Sequence, residues 1–147
     1  MTAPLQGLRV LVVEDEYLVA SLIEEMLGSA GCVVSGPIAR LAEALDVAGR
    51  EPCDAALLDI NLKGERVYPV AELLSRQNVP FIFLTGYGGG ALPGEYSARP
   101  LLSKPFRIAE LLGALSDLVN PVTVPLPGGD HRALTWRDRP ATLTLCR

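Results

Sequence analysis

Five short apolar runs separated by amphipathic stretches limit this chain to very few folds. "LRVLVV" (8–13), "CVVSG" (32–36), "DAALLD" (54–59), "PFIFLT" (80–85) and "PLLS" (100–103) read as strands, and four of them are almost continuously apolar. Apolar character without alternation marks strands covered on both faces, as in a parallel sheet. The stretches between them carry helical periodicity. Val19, Leu22, Ile23, Met26 and Ala30 recur at three and four within 16–30, and Gly31 is placed to end that helix. Leu41, Ala44, Leu45 and Ala48 do the same in 39–49, and Val70, Leu73 and Leu74 in 67–77. Ile108, Leu111, Leu112, Leu115 and Leu118 share one face of 106–119. Strand and helix therefore alternate, which predicts an α/β fold built from right-handed crossovers. The weak link is 86–99. Gly86, Gly88, Gly89, Gly90 and Gly94 each disfavour helix by about 1 kcal/mol against alanine, so a mobile loop with at most a turn or two of helix is expected.

At 147 residues and 49% hydrophobic content, the chain can bury one domain's core. Residues 1–119 are the expected domain and 120–147 a tail. "PVTVPLPGGDHRALTWRDRPATLTLCR" has no long periodic segment and is too short for an output domain with its own core. A net charge of −4 gives no support for broad nucleic-acid or anionic-membrane binding. No apolar run approaches the roughly 18 residues of a membrane span, and "MTAPLQGLRV" lacks the pattern of a secretory signal. A cytoplasmic address is the expectation. Cys32, Cys53 and Cys146 show no metal-type spacing, and the first two read as small buried hydrophobes.

In an open parallel sheet, ligands bind beyond the carboxyl ends of the strands. The unusual polar residues collect at that edge. Glu14 and Asp15 follow the first strand, Asp59 ends the third, Thr85 the fourth, and Lys104 follows the fifth. Carboxylates about 5 Å apart repel by about 3 kcal/mol per pair at an effective dielectric near 20. Such a group takes up protons or binds a cation, and oxygen-only ligands favour Mg²⁺. Beside that cation Asp59 can act as a nucleophile toward a phosphoryl group, with Lys104 and the Thr85 hydroxyl supplying counter-charge and a donor. Read singly, each residue is ordinary: Asp15 could cap the helix that follows, and a Thr or Lys at a strand end is usually solvated. Their joint appearance at successive strand ends favours the chemical reading.

"VVEDE", "LLDINL", "FLTG" and "SKPF", in this order, resemble the receiver domain of two-component response regulators across residues 8–119. The resemblance implies a flavodoxin-like doubly wound sheet of five parallel strands in the order 2-1-3-4-5, in which the glycine-rich 86–99 leaves a weak or mobile fourth helix. It implies that Asp59 accepts a phosphoryl group from a histidine kinase or a histidine phosphotransfer protein. Asp15 and Asp59 would bind Mg²⁺ directly, Glu14 through water, and the Asn61 carbonyl would complete the protein ligands. Lys104 would pair with the phosphoryl group, Thr85 would report it, and the Lys104–Pro105 bond would be cis. Leu101 stands where receivers usually carry Tyr or Phe, three residues before the lysine. "PFIFLTGYG" (80–88) resembles the PFxFATGY-type subgroup, which implies a partner kinase of the HWE or related class. The implied activity is that of a stand-alone phosphoacceptor assisting its own Mg²⁺-dependent phosphorylation and dephosphorylation. It is not otherwise an enzyme, and it signals to a downstream protein target by contact. The competing reading is a receiver-fold interaction module that is never phosphorylated. A nucleotide-binding reading is disfavoured, because "VVEDEY" sets acid where a glycine loop would cradle phosphate.

Overall fold

The computed structural model describes residues 5–86, 92–120, 122–125 and 131–134. Its central sheet comprises β1 (Arg9–Val13), β2 (Val33–Ile38), β3 (Ala55–Asp59), β4 (Phe81–Thr85) and β5 (Leu101–Ser103). Every pairing in it is parallel, and the spatial order is β2-β1-β3-β4-β5, the flavodoxin-like order that the resemblance implied. Helices α1 (Tyr17–Ser29), α2 (Leu41–Arg50), α3 (Tyr68–Arg76) and α4 (Ile108–Val119) cover it.

Alternation along the central strands splits the core in two. Val10, Val12, Leu57, Ile82 and Leu84 pack with Ile23 and Leu27 of α1 and with Leu111 and Leu115 of α4. Leu11, Val13, Leu58, Phe81 and Phe83 face Ala44 and Ala48 of α2 and Val70 and Leu74 of α3. Side chains of successive strand residues point to opposite faces, so continuous apolar runs are needed once helices lie on both sides.

Helix ends follow from local chemistry. Gly31 adopts φ +83° after α1, and the Gly31 and Cys32 N–H groups donate to Gly28 and Leu27 at 3.0 Å each. This is a Schellman closure, and it bears out Gly31 as the stop. Asn78 at φ +60° closes α3 in the same way, with Asn78 and Val79 donating to Ser75 and Leu74. The apolar set expected on α1 is shifted. Leu22 is 46% exposed, while Ala20 and Leu27 join Ile23 and Met26 on the buried face. A helix turns about 100° per residue, and docking centres on the Ala20–Ile23–Leu27 line, leaving Leu22 to one side. Ile108, in the first turn of α4, is likewise exposed. Cys32 and Cys53 are half-buried rather than buried, because both sit just ahead of a strand, outside the covered sheet.

Between β4 and β5, one 3₁₀ turn (Gly94–Tyr96) stands where a further helix would lie. Tyr96 is buried there, stacked on Tyr68 at 5.5 Å between centroids and edge-on to Phe83 at 5.5 Å. The turn fits the weak helix expected for 86–99; residues 87–91, where the mobile part of that expectation falls, lie outside the described residues. In the tail, Val122–Pro125 pairs antiparallel with His131–Leu134, a regular element that the unpatterned sequence did not suggest. Among the described residues, no helix is long and apolar enough to cross a membrane.

Phe83 is fully buried and touches three aromatic rings, Tyr68, Phe81 and Tyr96. Phe83→Ala is therefore expected to lower unfolding free energy by about 3–5 kcal/mol, read from urea midpoints. Val33→Ala at an exposed position should stay within about 0.5 kcal/mol.

Candidate functional site

Strand register assembles the site. Val13 of β1 lies opposite Leu58 of β3, so Glu14 and Asp59, the residues that follow them, reach the sheet edge at one level. The kinked end of β2 steadies this point: Gly36 takes φ +109°, where a Cβ would stand 2.7 Å from the Val12 carbonyl, and the Glu14 N–H donates to Ile38 at 2.9 Å. Only glycine fits so close an approach in that conformation. On the other side Thr85 lies opposite Ser103, and the Lys104 N–H donates to the Thr85 carbonyl at 2.8 Å. The Lys104–Pro105 bond is cis, as the resemblance implied.

Glu14, Asp15 and Asp59 each offer a carboxylate oxygen, and all of these lie within 4.8 Å of one another. Glu14 is 1% exposed and Asp59 5%, so water screens their repulsion weakly. Lys104 Nζ partly offsets it, at 3.1 and 3.3 Å from the two Glu14 oxygens, 3.3 Å from Asp59 Oδ2 and 2.8 Å from Glu16 Oε1. The offset is incomplete. Burial first, then the Glu14 hydrogen bond and charge, push the Asp59 carboxyl from its ordinary 3.8 up to about 8, although Lys104 pulls the other way. Burial disfavours the charged form of Lys104, but the Glu16 hydrogen bond and the Glu14 and Asp59 charges outweigh it and raise its pKa.

Asn61 adjoins the cluster through its backbone: its N–H donates to Asp59 Oδ1 at 3.2 Å. A tight turn holds it there. The two-residue strands Asn61–Leu62 and Glu65–Arg66 pair antiparallel around Lys63 and Gly64, both at positive φ, and the Gly64 N–H donates to Asn61 Oδ1 at 2.8 Å. Two positive φ angles are what a two-residue hairpin turn of the primed type requires.

The residues expected at the strand ends thus converge. Glu14, Asp15, Asp59 and Lys104 meet directly, and Thr85 is buried beside them, joined through the Lys104 backbone. Asp15 does not hold the N-cap of α1: Glu16 does, its side chain makes no capping hydrogen bond, and its N–H donates to Glu14 Oε2 at 3.1 Å. Glu16 receives no role of its own from the sequence. The third carboxylate of "EDE" was the available signal, but only the fold shows that it reaches Lys104 at 2.8 Å. Leu101 lies opposite Phe83 on the edge strand and is 43% exposed. The donor set is all oxygen and carries more negative charge than one ammonium balances. It suits a hard divalent cation such as Mg²⁺.

A doubly wound parallel sheet with an acidic cluster and a lysine at its carboxyl edge defines a receiver-type domain. The chain belongs to the response regulator receiver domain family, whose model matches residues 10–116. Among curated proteins it is 33% identical over 128 residues to the transcriptional regulatory protein TcrA of Mycobacterium tuberculosis, covering 82% of this chain and 49% of TcrA. It thus spans about half the length of that regulator. The solution structure of SdrG from Sphingomonas melonis Fr1 is 36% identical, with a TM-score of 0.70, covering 80% of this chain and 98% of SdrG. The receiver domain of sensor histidine kinase PA1611 from Pseudomonas aeruginosa PAO1 is 31% identical, with a TM-score of 0.65, covering 76% and 97%. That structure holds a magnesium ion in its active-site cleft.

The raised Asp59 pKa sets a pH dependence. Between about 4 and about 8 the folded, metal-free chain holds a proton that the unfolded chain has released. Stability contributed by this group is therefore full below about 4 and is lost as pH rises through about 8. In EDTA, the melting temperature of the wild type is expected to fall relative to that of Asp59→Asn across this interval. Parallel pH profiles for the two proteins would show that Asp59 is not so perturbed.

Proposed function

We propose that this receiver accepts a phosphoryl group on Asp59, with Mg²⁺, from a phosphohistidine of a kinase or phosphotransfer protein. The observation that carries the reading is the carboxylate cluster of buried Glu14 and Asp59 with half-buried Asp15, and Lys104 Nζ 3.3 Å from Asp59 Oδ2. Asp15 and Asp59 would hold the cation directly, Glu14 through water, with the Asn61 carbonyl as a further ligand. Bound Mg²⁺ supplies counter-charge for the phosphoryl oxygens. Asp59 attacks as the carboxylate, the form that added positive charge at the cluster favours. Its oxygen–phosphorus bond forms as the donor's nitrogen–phosphorus bond breaks, and the imidazole nitrogen leaves with the electron pair. Lys104 then pairs with a phosphoryl oxygen, and Thr85 turns its hydroxyl toward the new group.

The protein is read as a phosphoacceptor rather than an enzyme acting on other molecules, passing its state on through contact with a target protein. A partner kinase of the HWE or related class follows from the resemblance of "PFIFLTGYG" to its subgroup, and the cytoplasm is the address proposed for this chain. The acidic balance of the chain gives nucleic acid or an anionic membrane no part in this reading.

Intact-mass measurement after incubation with Mg²⁺ and phosphoramidate tests the proposal. One added phosphoryl group is expected in the wild type and none in Asp59→Asn or in the wild type with EDTA. A wild-type protein that stays unmodified with this donor and with acetyl phosphate would favour the unphosphorylated interaction module.

A further inference from the structure

Lys104 is held by three carboxylates of very different character, and the difference bears on how it reaches the phosphoryl group. Its shortest contact, 2.8 Å, is to Glu16, whose side chain is 62% exposed. The contacts to Glu14 at 3.1 Å and Asp59 at 3.3 Å are longer, and both of those side chains are buried. An ammonium has three N–H donors, so these contacts already saturate it. A phosphoryl group on Asp59 adds oxygens that need the same donors, and one existing partner must give way. Glu14 is the wrong one to lose, since releasing it leaves a buried carboxylate without its cation. Glu16 is different: at the exposed N-cap of α1 it is rehydrated by bulk water, and an exposed ion pair is weak.

We infer that Glu16 is a positioning residue, a releasable tether that aims Lys104 at the mouth of the site and yields it when Asp59 is phosphorylated. This deepens the phosphoacceptor reading and rests on it. Because Glu16 competes with the phosphoryl group for one ammonium, it sets the balance between the two states of the domain. Geometry matters as well as charge. Glu16 reaches Nζ from outside the buried cluster, and a side chain one methylene shorter carries the same charge without spanning the gap.

Binding of beryllofluoride, a phosphoryl mimic, in the presence of Mg²⁺ tests this by calorimetry on the full chain. Glu16→Gln and Glu16→Asp are both expected to bind about two- to fivefold tighter than wild type, the scale of an exposed ion pair. In the Lys104→Ala background, Glu16→Gln should change nothing, because the tether then has nothing to hold. Glu16→Asp binding like wild type would make Glu16 a through-space charge only and overturn the tether, and this comparison needs no lysine variant to fold. A Glu16→Gln gain that persists without Lys104 would overturn it equally. If the wild type binds no beryllofluoride at all, the phosphoacceptor reading itself fails, and the tether with it.

Discussion

Like charge gathered at the dry end of a parallel sheet is the constraint on which the rest depends. Glu14 and Asp59 are buried, and their carboxylates and that of Asp15 lie within 4.8 Å of one another, so the cluster carries repulsion that water screens only weakly. Lys104 answers part of it with one charge, and Asp59 answers more by holding its proton up to about pH 8. A domain optimised for stability alone would place an apolar or small residue at one of these strand ends. The unbalanced charge is a standing demand for a cation, and a cation beside a carboxylate is what phosphoryl chemistry uses.

The fold serves this edge from two sides. The two-sided core fixes strand register, and register in turn brings Glu14 level with Asp59 and ties Lys104 to Thr85. Two tight backbone passages refine the placement: Gly36 lets the end of β2 reach Glu14, and the Lys63–Gly64 turn folds Asn61 back against Asp59. On the output side, Leu101 is an exposed aliphatic residue on the edge strand and has no polar group to offer. The aromatic density lies elsewhere, in Tyr68, Phe81, Phe83 and Tyr96, which join β4 to the start of α3 and to the turn before β5.

Much of this was legible in the sequence because it is written in period and position. Continuous apolar runs mark strands covered on both faces, and the rule placing ligands at their carboxyl ends picks out Glu14, Asp15, Asp59, Thr85 and Lys104. What the sequence hid depends on rotation and reach. Leu22 obeys helical spacing but faces outward, because the docking angle of α1 is set by tertiary packing rather than by its own period. Glu16 reads only as the third carboxylate of "EDE" until the fold brings Lys104, 88 residues away, to within 2.8 Å of it. The tail hairpin pairs Val122–Pro125 with His131–Leu134 across prolines and glycines that obscure any strand pattern.

The central claim is that the cluster is short of positive charge and that a divalent cation corrects it. Carbon-13 NMR titration of the Asp59 carboxyl measures this at the atom concerned. Without metal it should titrate near 8, displaced by burial and by Glu14, and with saturating Mg²⁺ it should fall by several units, since the cation stabilises the ionised form. An Asp59 that titrates at its ordinary 3.8 without metal, or one whose titration Mg²⁺ leaves unmoved, would contradict the account.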